Sequence, residues 1–129
     1  MNYYSVIRYV PKPLNEEFVN IGVYAFNEKE IKVKFLENWD RVRAFGNEDI
    51  EFLLQFKDSV HDVVGNGRFI PGDRLRDMSD NLSRMQKLSE KRMNAIQYRE
   101  PCASLKSLED ILDDSDTWLV EWQNTGKQP

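Results

Sequence analysis

The chain has 129 residues, of which 40% are hydrophobic and 31% charged, and its formal net charge is -4. This length fits one domain that buries roughly two-thirds of its unfolded surface. Lysines and arginines are scattered among acidic residues, so we expect no sequence-specific nucleic-acid binding. The single Cys102 excludes an internal disulfide and fits a cytoplasmic protein. No stretch reaches the ~18 apolar residues of a membrane span, so no membrane partner is expected.

The first third of the chain has the composition of β-strands. Residues 3–10 are rich in aromatic and β-branched side chains, and residues 17–26 form a longer apolar run. Strict alternation places Asn20 and Gly22 on the same face of that second strand. Residues 31–35 alternate apolar side chains with lysines, which predicts a half-buried strand that forms a hairpin with 17–26.

Helical spacing follows. The sequence predicts helices after Asn38, after Asn47, over residues 73–92 and from Ser104 onwards, with a returning strand at residues 94–98. The acidic cluster of residues 113–116 opposes continuation of the last helix.

Strands at one end and helices in the middle favour an α+β fold. We expect a small antiparallel sheet of three to four strands packed against three to four helices, with the helices on one face. Residues 1–129 are predicted to form a single domain, and residues 117–129 a possible extended or partner-binding tail.

The residue types needed for catalysis do not cluster in this sequence. His61 is the single histidine and is predicted to be a solvent-exposed helix residue. Neither His61 nor Cys102 has a neighbouring metal ligand in the sequence, and the glycines of residues 65–72 lack the Lys-Ser/Thr pair of a phosphate loop. We predict no catalytic residue, metal or cofactor, and the balance leans against an enzyme.

Two features are open to two interpretations. Trp118 and Trp122 either fold back over the sheet or anchor another protein, because tryptophan is enriched in interface hot spots. The methionines of the third predicted helix, Met78 and Met85, either line its core-facing side or form an adaptable docking surface.

Arg8 lies in a predicted strand among aromatic and aliphatic residues and needs a polar partner there. Glu16 and Glu17 are the nearest candidates across the proline turn. One interpretation is an Arg–Glu clamp that holds the turn. The other is a pocket or docking edge formed by Arg8 with Glu17, Asn20 and Gly22.

The segment YYSVIRYVPKPLNEEFVNIGVYAF is similar to the N-terminal signature of DUF3037, a family of proteins of unknown function. A second stretch, NAIQYREP at residues 94–101, resembles a later family motif. The residues that match the first motif are Arg8, Tyr9, Val10, Pro11, Pro13, Glu17, Asn20, Gly22 and Val23.

The resemblance implies a bacterial or phage-associated protein that is often encoded beside a HipA-like serine/threonine kinase. It therefore implies a small interaction module that binds and regulates such a kinase in a toxin–antitoxin or defence setting. The alternatives are an enzyme that acts on a nucleotide or nucleic acid through Arg8, Glu17 and Asn20, and a phage-type inhibitor of a host protein. The predicted partner- or ligand-binding residues are Arg8, Tyr9, Glu17, Asn20, Gly22, Trp118 and Trp122.

Overall fold

The computed structural model describes residues 1–11, 17–73, 80–91 and 94–121, without the side chains of 116–121. Its strands form one antiparallel sheet of five strands in the order β3-β2-β1-β4, with β5 also pairing with β1. The α+β class is confirmed, with one strand more than expected. The strands are β1 (Asn2–Tyr9), β2 (Val19–Phe26), β3 (Ile31–Phe35), β4 (Ile96–Tyr98) and β5 (Cys102–Ser104).

Four α-helices lie in the described part of the chain: α1 (Asp40–Gly46), α2 (Ile50–Val64), α3 (Asn81–Ser89) and α4 (Leu108–Glu121). A short 3-10 turn, Asn47–Asp49, joins the first two. The first helix begins one residue later than expected: the Asn38 side chain accepts a hydrogen bond from the Asp40 amide at 2.9 Å, but the N-cap is Trp39. No helix among the described residues is long and apolar enough to cross a membrane.

Helices cover both faces of the sheet, so the expectation of a single covered face is wrong. The first three helices pack on what we call the core face, where Tyr24, Phe26 and Leu53 are fully buried. The fourth packs on the opposite side, the α4 face, where Ala25 contacts Leu108 and Ile111. The inner strand β2 is buried along its whole length, which requires cover on both sides.

A β-bulge in β2 changes which side chains share a face. Ile7 pairs with Gly22 but Arg8 pairs with Asn20, so Ile21 is an extra residue in β2. Because cross-strand partners of an antiparallel pair lie on the same side, Gly22 belongs to the core face and Asn20 to the α4 face. The predicted placement of both on one face is therefore wrong.

The third helix is shorter than predicted. The Asp80 side chain accepts a hydrogen bond from the Ser83 amide at 2.7 Å, and its backbone is extended (φ -68°, ψ 167°). This N-cap means that the helix cannot run unbroken from Asp73. Met78 lies outside the described residues, whereas Met85 is fully buried in the core cluster, as the core interpretation requires.

The last helix starts later and ends later than predicted. Ser104 ends β5 rather than beginning a helix, and the Leu105 side chain is 97% exposed. The Ser107 hydroxyl accepts a hydrogen bond from the Asp110 amide at 3.1 Å, which supports a start at Leu108. The helical backbone then continues through the acidic cluster to Glu121.

A buried polar network holds the loop between α2 and α3 against the core face. Arg84 is only 8% exposed, forms an ion pair with Asp73, and donates to the Gly67 carbonyl at 3.0 Å. Asp73 also accepts a hydrogen bond from the Phe69 amide at 2.9 Å. The Tyr24 hydroxyl donates to the Phe69 carbonyl at 2.6 Å, and burial raises the pKa of this tyrosine well above its usual value.

Candidate functional site

Three polar side chains form a row across the middle of the sheet. Arg8 on β1 is opposite Asn20 on β2 and opposite Gln97 on β4. Cross-strand partners share a face, so all three belong to the α4 face. The bulge at Ile21 places Asn20 in this row. We call Asn20, Arg8 and Gln97 the polar row.

Arg8, the middle residue of this row, packs on an aromatic ring. The centre of its guanidinium lies 3.8 Å from the centroid of the Phe18 ring, a cation–π contact. Phe18 is 6% exposed and Asn20 is 8% exposed, so this part of the row is largely shielded from solvent. Glu17 is exposed, and Glu16 lies outside the described residues. The Arg–Glu clamp therefore stays a prediction.

Tyr9 and Gly22 lie on the other face of the sheet. The fully buried Tyr9 donates its hydroxyl hydrogen to an Asp49 carboxylate oxygen at 2.6 Å. Burial, followed by this hydrogen bond, raises the pKa of Tyr9. A Cβ atom at Gly22 would lie 2.9 Å from the Phe35 ring, so glycine permits this close packing. The structure thus gives both residues packing roles and separates them from the polar row.

The structure describes the two predicted anchor tryptophans only in part. Trp118 belongs to the backbone of α4, but its side chain is not described, and Trp122 lies outside the described residues. Their role as partner anchors stays a prediction.

Two distant stretches of sequence meet at the polar row. Gln97 comes from the stretch NAIQYREP, and its side-chain amide donates to the Asn94 carbonyl at 3.0 Å. In the same stretch, the Ala95 carbonyl accepts a hydrogen bond from the Val10 amide at 2.7 Å. The two motifs that carry the family resemblance therefore pair directly. Sequence reasoning did not select Gln97, although its position in the second motif was the available signal.

Strand β4 is the outermost described strand on its side of the sheet, and it borders an apolar groove of about 530 Å³ on the core face. Phe52 of α2 stands at this groove with 56% of its surface exposed. We call this the β4 groove. Its apolar lining comes from α2, the loop after it, α3 and β4, through Phe52, Phe56, Ile70, Leu88, Ala95, Ile96 and Tyr98.

The outer edge of β3, which pairs with no strand among the described residues, borders a second groove of about 630 Å³, which we call the β3 groove. Val33, Leu36 and Leu54 line it and are partly buried. His61 is exposed, as predicted, and packs edge-on against the Phe35 ring at 5.5 Å between ring centroids. Within the described ranges, no three His, Cys, Asp or Glu side chains come together as a metal site.

The fold defines a small α+β domain with a five-stranded antiparallel sheet covered on both faces. Residues 4–114 match the model of the family described as "Protein of unknown function (DUF3037)". This match covers most of the chain, and the protein belongs to that family. No curated protein and no solved structure matches it.

Proposed function

We propose that this protein is a small interaction module that binds another protein through the β4 groove. The observation that carries the proposal is the exposure of Phe52 beside an apolar groove. An aromatic ring at 56% exposure keeps apolar surface in contact with water, and its burial against a partner would be favourable. Interfaces concentrate their binding energy in such aromatic anchors.

The backbone of β4 supports the same surface. The Val10 amide donates to the Ala95 carbonyl, and the Arg99 amide donates to the Val6 carbonyl at 2.9 Å. In an antiparallel ladder every second residue bonds to the neighbouring strand, so Ala95, Gln97 and Arg99 face β1. Ile96 and Tyr98 therefore direct their backbone groups to the other side of β4, where the described residues place no further strand, beside the groove. A partner segment can bury its apolar side chains in the β4 groove while its backbone forms hydrogen bonds with this edge.

The partner that we propose is a HipA-like serine/threonine kinase, in a bacterial or phage toxin–antitoxin or defence setting in the cytoplasm. Support for this partner comes from the family resemblance of the two motifs. In this proposal the backbone pairing of β4 with β1 positions the edge that the partner contacts, and the polar row lies on the opposite face from the groove. Trp118 and Trp122 would add contacts from the end of α4.

The direct test is co-purification with a HipA-like kinase encoded beside the gene, followed by calorimetry. Phe52→Gln should weaken the complex by at least ~2 kcal/mol, about thirtyfold, because it removes a central aromatic anchor. Leu105→Gln is the matched control, since Leu105 is 97% exposed and lies outside both grooves. Undiminished binding by Phe52→Gln would exclude the β4 groove as the interface.

The tryptophans and the enzymatic alternative are tested in the same assay. Trp118→Ala combined with Trp122→Ala should weaken the complex by a similar factor while the isolated domain stays folded. Unfolding of that variant would instead assign the tryptophans to the protein's own core. Turnover of a nucleotide by the isolated domain, lost in Arg8→Ala, would favour the enzyme.

A further inference from the structure

The backbone of β3 offers a ladder of hydrogen-bonding groups at the opposite edge of the sheet. The Leu36 amide donates to the Ile21 carbonyl, and the Asn27 amide donates to the Glu30 carbonyl, both at 3.0 Å. In an antiparallel ladder every second residue bonds to the neighbouring strand, so the backbone groups of Lys32 and Lys34 face β2 like those of Glu30 and Leu36. The N–H and C=O groups of Val33 and Phe35 therefore point away from β2. Within the described residues, β3 is the outermost strand on this side.

The side chains along this edge are sorted by face. Val33 is opposite Tyr24 and Phe35 is opposite Gly22, so both belong to the core face, where the β3 groove separates the edge from α2. Lys32 and Lys34 are opposite Ala25 and Val23 and belong to the α4 face. The edge is thus apolar on the side of the groove and basic on the other side.

Apart from Lys34, the charged side chains that line the groove are one lysine and one glutamate. Lys57 and His61 of α2 line it together with the acidic Glu37. Lys32 forms an ion pair with Glu109 of α4 at 3.0 Å, in a position exposed to solvent. A chain of net charge -4 therefore presents lysines along one face of an open strand.

We propose that the β3 edge binds an extended segment of a partner protein in which apolar and acidic residues alternate. The segment would add a sixth strand, with its apolar side chains in the β3 groove beside Val33 and its carboxylates beside Lys32 and Lys34. This site lies on a different strand from the β4 groove and is independent of the proposed function.

The same lysines act against pairing with a second copy of the chain. Lysines on edge strands are a common protection against edge-to-edge association, because like charges directly across a strand pair are destabilising. Two β3 strands in antiparallel contact would bring four lysines to the same face. An acidic partner strand instead meets opposite charges. The lysines therefore favour an acidic segment over a second copy of this chain.

The test uses a fluorescein-labelled nine-residue peptide of alternating valine and glutamate, measured by fluorescence anisotropy at low salt. We expect it to bind at least about fivefold more tightly than the valine–lysine peptide, because opposite charges across a strand pair attract and like charges repel. Backbone N-methylation of one alternating set of residues should abolish binding, whereas methylation of the other set should be tolerated. Amide chemical shifts of Val33 and Phe35 should change on binding.

Charge reversal supplies the matched variants. Lys34→Glu should reverse the preference between the two peptides, and Lys34→Gln, which should remove the preference, serves if that variant does not fold. Lys87→Glu makes the same charge change on the exposed side of α3 and should leave both affinities unchanged. Phe52→Gln should bind the probe normally, which separates this site from the β4 groove. Equal affinity for both peptides, indifference to methylation, or no binding at millimolar peptide would overturn the proposal.

Discussion

The two faces of the sheet use charged and polar groups differently. On the core face, Arg84 and Asp73 form an ion pair in which both side chains are about nine-tenths buried. On the α4 face, the pairs Lys32–Glu109 and Lys106–Asp114 are both largely exposed to solvent. The chemistry of the pairs is the same, and the surroundings differ.

This difference decides which charges are part of the fold. A buried charge without its partner costs several kcal/mol, whereas an exposed ion pair contributes little because water and salt screen it. The core face therefore depends on its polar network, and the α4 face tolerates changes to its pairs. The charges of the α4 face therefore tolerate substitution, which is compatible with the recognition role proposed for Lys32 and Lys34.

The largest effect is expected from Arg84→Met. This change leaves Asp73 buried without its cation and should lower the free energy of unfolding by about 3–5 kcal/mol. Lys106→Met removes a lysine from an exposed pair with Asp114 and should leave stability nearly unchanged. Urea unfolding of both variants compares the faces directly. Equal destabilisation by the two substitutions would contradict the distinction between the faces.

A smaller but still large effect is expected from Gly46→Ala. A Cβ atom there would overlap the Tyr9 hydroxyl oxygen, so the substitution must displace the ring and its hydrogen bond to Asp49. We expect a loss of about 3 kcal/mol, from overpacking together with a disturbed buried hydrogen bond.

Gly65→Ala provides the control for this substitution. Gly65 ends α2 with helical dihedral angles, and no atom lies within 4 Å of its added Cβ. That change should be neutral or stabilising by up to about 1 kcal/mol. Thermal unfolding of the pair measures the difference, and a stable Gly46→Ala variant would show that Tyr9 is not tightly packed.

The faces should also differ in their response to pH. Burial raises the pKa of Tyr98 on the core face, so it stays protonated in the folded state while an unfolded tyrosine ionises near pH 10. Its stabilisation is present below about pH 10 and is lost as the pH rises further. Tyr98→Phe should reduce the alkaline slope of stability by about 1.4 kcal/mol per pH unit. An unchanged slope in denaturant titrations from pH 9 to 11 would refute this.

On the α4 face the sign is opposite. The hydrogen bond from Lys32 lowers the pKa of Glu109, so its contribution is present above the ordinary glutamate pKa of about 4.3 and is lost as the pH falls through the lower folded-state value. Glu109→Gln should flatten the fall of stability in denaturant titrations between about pH 2 and 6 and leave the alkaline side unaltered.

Local patterns predicted the elements that pair with sequence neighbours. The alternation of Ile31, Val33 and Phe35 with lysines gave the β2–β3 hairpin, and the apolar stripe of α2 gave its span closely. The bulge could not be seen, because Val19, Ile21 and Val23 are all apolar and the periodicity does not reveal an inserted residue. That single insertion moved Asn20 to the face of Arg8.

Long-range interactions account for the other differences. The strand Cys102–Ser104 is too short to show a period, and it exists because β1 offers it a partner. Arg84 resembles a solvent-exposed helix residue until the loop containing Gly67 and Phe69 folds over it. The polar row required a register between residues about ninety positions apart, which no local pattern encodes.

The central position of β1 has a consequence for the order of assembly. Strand β1 pairs on one side with β2 and on the other with β4 and β5, and the Asn2 side chain bonds to the Lys106 carbonyl across 104 residues. During synthesis the hairpins of β1, β2 and β3 can form early, but the second side of β1 stays open until residues 96–104 have left the ribosome. Loop closure over such a distance slows folding, and an open strand edge is prone to aggregation. A nascent chain of this protein therefore passes through a stage in which its middle strand is temporarily an edge.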